Sequence, residues 1–187
     1  SMADPTSDKI NNLFPTSTVG SKDAPYNLSN ANGETMVENT ANCYMVGAPG
    51  WYCFPLVYGN AITDKKTDAE AYSSTHIVNH LNEPITAPYI KENTRKDDPT
   101  KTIDLSDVSV KLIWQDAEGL ITPSTISYDP DLFDGKGGIK FQIATIQEGN
   151  AVIALIDNKA GEDQYVYLDR GVYGTSGSTK AIWSWHI

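Results

Sequence analysis

Six consecutive apolar residues, Ala151-Val152-Ile153-Ala154-Leu155-Ile156, follow a Glu148-Gly149-Asn150 turn signal and end at Asp157-Asn158. Such a run is read as a strand buried on both faces. A strand with no polar face must be covered twice, which commits the chain to a layered fold. The segments around it agree. Val108, Val110, Leu112 and Trp114 alternate with Ser109, Lys111, Ile113 and Gln115 before an Asp116-Ala117-Glu118-Gly119 turn. Ile139, Phe141, Ile143 and Thr145 alternate again, and period two is the signature of a half-buried strand. Ile121 to Tyr128, broken by Pro123, and the stretches 165–168 and 181–185 add short strands. Fourteen Gly and ten Pro punctuate the chain, which disfavours long helices. The expected fold is all-β: an antiparallel β-sandwich of the Ig or transthyretin-like Greek-key kind, with an irregular N-terminal arm and long loops.

At 187 residues the chain suffices for one β domain or two small ones. Residues 1–34 are polar, with Pro5, Pro15 and Pro25 and no sustained apolar period, and are expected to be a linker or arm. The sandwich domain is placed at 35–187. Within it, Asn42 to Val46 and Trp51 to Tyr58 flank Gly47-Ala48-Pro49-Gly50 and predict a hairpin. A turn centred on Ala48 would set Cys43 opposite Cys53, close to disulfide range. The pair is therefore either a disulfide or two small thiols. Residues 64–104, rich in Pro and carrying Arg95-Lys96-Asp97-Asp98, predict a long exposed excursion.

The net charge of −10 repels phosphate backbones and anionic membrane surfaces, so no nucleic-acid partner is expected. No apolar run approaches the roughly 20 residues of a membrane span. Ser1-Met2 reads as a cloning remnant on a trimmed chain, so the lack of an export signal carries no information about location.

Motifs with chemistry are few. His76 and His80 have i, i+4 spacing, but no Glu adjoins His76 and no third ligand stands out, so zinc is not expected. Asp129, Asp131 and Asp134 before Gly135 resemble a calcium loop, yet the spacing departs from an EF-hand and Pro130 intervenes; an acidic turn is the simpler reading. Gly174-Thr175-Ser176-Gly177 is not a nucleophile elbow, and no glycine-rich phosphate loop occurs. Catalytic residues, cofactors and metals are accordingly not assigned. Trp51, Tyr52, Trp183 and Trp185 remain as candidate ligand-facing aromatics. Trp183 and Trp185 share one face of a strand, which is either core or a platform for sugar rings.

The segment Ala41 to Tyr52 (A-N-C-Y-M-V-G-A-P-G-W-Y), followed by Phe54 to Ile62, resembles a signature of fimbrillin-like surface proteins of Bacteroidetes. Asn79-His80-Leu81 with Ile85 to Ile90, Leu112 to Asp116, Gly149 to Ala154 and the ending Ile182-Trp183-Ser184-Trp185-His186-Ile187 agree with it in order. The resemblance implies an exported, lipid-anchored, non-enzymatic sandwich protein at the outer-membrane surface or in a fimbria. It implies a stalk or tip component in adhesion, partnered by other fimbrial subunits or a host protein or glycan. Membrane contact would run only through a lipid anchor that this sequence does not contain. Tyr165 to Thr179 departs from the pattern as an added excursion. The alternative is a glycan-binding module of a surface nutrient-capture system.

Overall fold

The structure, a computed structural model of the chain, describes residues 18–73, 77–159, 165–169, 172–175 and 180–187. Its strands are β1 (Tyr26–Asn27), β2 (Gly50–Pro55), β3 (Ile62–Thr63), β4 (Lys66–Thr67), β5 (Val108–Gln115) and β6 (Ser127–Asp129). They are followed by β7 (Gly138–Ile143), β8 (Ala151–Asp157), β9 (Tyr165–Asp169), β10 (Val172–Thr175) and β11 (Lys180–His186). Among the described residues the helical elements are three single-turn 3₁₀ segments, the first of them at Ala69–Ala71, capped by the Asp68 side chain.

The chain is all-β, built from antiparallel sheets. One sheet has the order β1-β2-β7-β6 and the other β11-β8-β5; β3–β4 and β9–β10 are two-stranded ribbons. β2 and β7 run antiparallel with Tyr52 opposite Phe141 and Phe54 opposite Ile139. Those four side chains therefore share the inner face. In the second sheet, Trp185 lies opposite Ile153, and Leu112 lies opposite Ile153 on the other flank. The layers close on one another where Phe54 and Trp185 meet, ring centroids 5.0 Å apart. Phe54, Phe141 and Trp185 are all fully buried, each removing enough apolar surface to stabilise the fold by about 2–3 kcal/mol.

β8 is the central strand of its sheet, and all seven of its residues are buried. Ala151, Ile153 and Leu155 join the interior cluster; Val152, Ala154 and Ile156 point the other way and are buried as well. The unbroken apolar run thus has the two-sided burial its composition demands.

The expected hairpin over 42–58 is not formed. Both flanks of β2 are already taken: β7 pairs along one, and the arm along the other, through Trp51 N–H to the Val19 carbonyl (3.0 Å), Val19 N–H to the Pro49 carbonyl (2.9 Å) and the parallel β1. Gly50 makes this possible. Its φ is +153°, and a Cβ there would fall inside the Val19 carbonyl oxygen. Displaced from β2, Asn42–Tyr44 pairs with the end of β11, where the Tyr44 N–H donates to the His186 carbonyl at 2.9 Å and the His186 N–H to the Asn42 carbonyl at 2.7 Å.

The excursion over 64–104 is not the solvated loop its composition suggests. Tyr72, Ile85, Ile90 and Ile103 are buried in the common core. Val57 bridges Tyr89, and the Ile90 N–H donates to the Leu56 carbonyl at 3.0 Å, so the segment is stitched to the continuation of β2. Buried asparagines replace the missing ladder bonds. Asn93, with no exposed surface, accepts from the Thr86 N–H (2.7 Å) and donates to the Tyr89 carbonyl (2.7 Å) and the Ala87 carbonyl (2.9 Å). Asn79 accepts from the N–H groups of Leu81 and Glu83. Backbone left outside a sheet needs such partners to be buried at all.

Candidate functional site

At one end of the sandwich, residues 43–46, the turns after β5 and β7, the start of β8 and Ile187 enclose a hollow of about 270 Å³. Its wall is mainly apolar, with Val46, Leu120, Ile121, Ile143, Ile146 and Ile187 among the residues that line it. Two of its polar lining residues donate within the protein. The Gln147 amide donates to the Glu118 carbonyl at 2.9 Å, and the Asn150 amide to the Asp116 carboxylate at 3.2 Å. A second hollow of about 220 Å³ lies beside it, lined by Val19, Tyr26, Leu28, Ala48 and Tyr52, and the two share Met45 and Val46. Met45 is 92% exposed, the most exposed large apolar side chain among the described residues. Tyr44, next to it, is turned inward onto Phe54, and burial pushes its hydroxyl well above the ordinary range.

The surroundings are acidic. Asp116, Glu118 and Glu148 are exposed on the two turns bounding the first hollow, and Asp116 is fixed by the Asn150 N–H at 2.8 Å. Residues 112–135, 141–158 and 37–50, which supply nearly all of the wall, contain no Lys or Arg.

The candidate aromatics fall into separate environments. Trp185 and Tyr52 are 0% and 3% exposed, so neither is ligand-facing; both are core, Tyr52 stacked on Phe141 and its hydroxyl donating to the Ala48 carbonyl. Trp183 is half-buried, edge-on to Tyr58 at 5.2 Å, with its indole N–H donating to Asn42 Oδ1 at 2.9 Å. Trp51, half-buried, pairs with Gln142 and projects from the outer face of the first sheet. Trp183 and Trp185 face the core side of their sheet and make no sugar platform.

Cys43 and Cys53 are both free thiols. The disulfide fails with the hairpin: Cys43 is exposed and opposite His186, whereas Cys53 is buried and opposite Lys140. Burial pushes the Cys53 thiol up to about 12, which leaves it protonated and inert. His76 lies outside the described residues. His80 is buried in a loop, its Nε2 3.1 Å from Asp157 Oδ2. Asp129 accepts from the Asp131 N–H at 3.0 Å and lies 3.8 Å from Lys140; no metal-holding group of side chains occurs among the described residues.

The hollow is not visible as a pattern in the sequence because most of its wall comes from apolar residues beside turns, with strands contributing only their ends, Ile143 of β7 and Ala151 of β8. Val46 precedes Gly47, Leu120 follows Gly119, and Ile146 stands near Gly149. Apolar residues set beside turn glycines were the available signal.

No family model, no curated protein and no solved structure matches the chain.

Proposed function

We propose that this chain is a non-enzymatic cell-surface or fimbrial subunit that works in adhesion, as a stalk or tip component exposed outside the outer membrane. The observation that carries this reading is the apolar hollow at the loop end of the sandwich, with Met45 held out to solvent beside it. Loop-built apolar concavities on a rigid sheet scaffold are where such domains bind. The motif resemblance to fimbrillin-like proteins supports the same reading. So does β5: in the sheet order β11-β8-β5 it is an outer strand eight residues long, and no strand pairs with its far side among the described residues. An edge of that length suits assembly with a neighbouring subunit.

The test is binding of the purified chain to extracellular-matrix proteins and a glycan array, with self-association followed by light scattering. Saturable binding to a matrix protein, or concentration-dependent assembly, supports the reading. A monomer that binds nothing on either surface counts against it. Glycan binding is the second reading, and Trp51, half-buried on an outer sheet face, is the residue that favours it. Loss of a glycan signal in Trp51→Ala, with the fold intact, would move the assignment there.

A further inference from the structure

We infer that the paired hollows at the loop end form a docking site for an extended peptide segment of a partner protein, carrying aliphatic or aromatic anchors flanked by lysine or arginine. The inference rests on the binding reading above and specifies its partner.

The wall chemistry sets the anchor. No side chain lining the first hollow is charged, and the partly exposed side chains of Val46, Ile146 and Ile187 offer it only apolar surface. A volume of about 270 Å³ accommodates one large aliphatic or aromatic side chain with its neighbouring backbone. The side-chain N–H groups of Gln147 and Asn150, the donors available to sugar hydroxyls, already donate within the protein. That pattern favours an apolar anchor over a polyhydroxylated one.

The arrangement in two hollows sets the form of the ligand. They share Met45 and Val46 as a common wall, so a ligand that fills both must cross Met45. An extended chain does this naturally, because alternate side chains point to the same side. Met45 is fitted to lie under such a chain: its thioether is unbranched, polarizable and 92% exposed.

The electrostatics set the flanking charge. Asp116, Glu118 and Glu148 stand around the mouth, and no Lys or Arg occurs in residues 112–135, 141–158 or 37–50. A net charge of −10 extends the attraction over the whole molecule. Cationic residues on either side of the anchor would meet these carboxylates at the solvated rim, where charge speeds encounter and selects the partner.

The experiment uses the full chain and three fluorescein-labelled probes: Lys-Leu-Lys-Leu-Lys, Glu-Leu-Glu-Leu-Glu and Lys-Ser-Lys-Ser-Lys, read by fluorescence anisotropy. Saturable binding is expected for the first peptide only, weakening as salt rises. Met45→Ser is expected to weaken it roughly 3–10-fold, as loss of an apolar contact does. Glu118→Lys with Glu148→Lys should weaken it about tenfold or more, mainly through the association rate. All these positions are solvent-exposed, and circular dichroism confirms that each variant is folded. Equal binding of Lys-Ser-Lys-Ser-Lys, indifference to Met45→Ser, or no binding of any probe overturns the inference. If the peptides fail while the chain still binds a matrix protein or a glycan, this inference falls and the adhesion reading stands.

Discussion

His80 and Asp157 meet in the interior, Nε2 to Oδ2 at 3.1 Å, with the imidazole wholly buried and the carboxylate 9% exposed. The contact joins the middle of the long 64–104 excursion to the last residue of the central strand β8. Asp157 also accepts from the Lys159 N–H at 2.9 Å, so one carboxylate holds the turn that leaves β8 and the loop that packs beside it. Removing the imidazole leaves a buried carboxylate short of a partner. His80→Ala is therefore expected to cost about 2–3 kcal/mol in urea unfolding, with native-state hydrogen exchange rising first around residues 79–83.

Trp185 and Trp183 are two residues apart on the same side of β11 but differ in burial, and the cost of truncation should follow that difference. Trp185→Ala removes a fully buried indole packed on Phe54 and should cost about 3–5 kcal/mol. Trp185→Phe should cost less than half as much, because the indole N–H has no acceptor among the described residues and its loss forfeits nothing. Trp183→Ala, at a half-buried site, should fall near 1–2 kcal/mol. Thermal or denaturant melts of the three variants check the ranking.

The thiols give a chemical test of the pairing around β2. Cys43 is exposed and Cys53 buried, with its thiol pushed up to about 12. A thiol reagent at pH 8 should titrate one equivalent in the native protein and two in denaturant, without prior reduction. A hairpin carrying a disulfide would yield none in either state.

Gly50 is the hinge on which that pairing turns. A side chain there faces both an unfavourable φ of +153° and the Val19 carbonyl. Gly50→Ala should cost roughly 1–3 kcal/mol, as side chains forced into glycine-only backbone do. The arm should loosen selectively, visible as faster exchange of the Val19 and Trp51 amides.

Asp104 predicts a weak pH dependence. The Ser106 hydroxyl and N–H, then Lys159 at 3.1 Å, hold its carboxyl down to about 2. A carboxylate held below its unfolded value near 3.9 contributes stability above that pH and loses it as pH falls toward 2. The site is exposed, so screening keeps the contribution under about 1 kcal/mol. Asp104→Asn should lower stability slightly at pH 7, with the difference from the parent chain closing between pH 4 and pH 2.

The strands legible in the sequence are those whose pattern is set by the layers themselves. β8 announces two-sided burial by having no polar position, and β7 announces one-sided burial by alternating; β5 keeps the expected alternation only as far as Leu112, after which a register shift sets Trp114 opposite Val152, on the side turned away from the core. The pairing of β2 was not legible, because Gly47-Ala48-Pro49-Gly50 signals a local turn while the competing partner, Val19, lies 30 residues upstream with no periodic pattern around it. The excursion was misleading for a related reason: its core contacts rest on isolated residues such as Ile90 and Ile103, and its backbone on Asn79 and Asn93, which no period reveals. The hollow is assembled from turn-flanking residues distant in sequence, so it exists only once the layers are closed.

The most direct test of the central claim, that this end of the sandwich is the binding surface, is backbone amide shift mapping of the labelled chain titrated with Lys-Leu-Lys-Leu-Lys. Saturable shifts are expected to cluster at residues 43–48, 120–121 and 145–151, with the β5 edge and the β3–β4 ribbon unmoved. Shifts spread over every acidic turn, or centred on the outer face around Trp51, would contradict it.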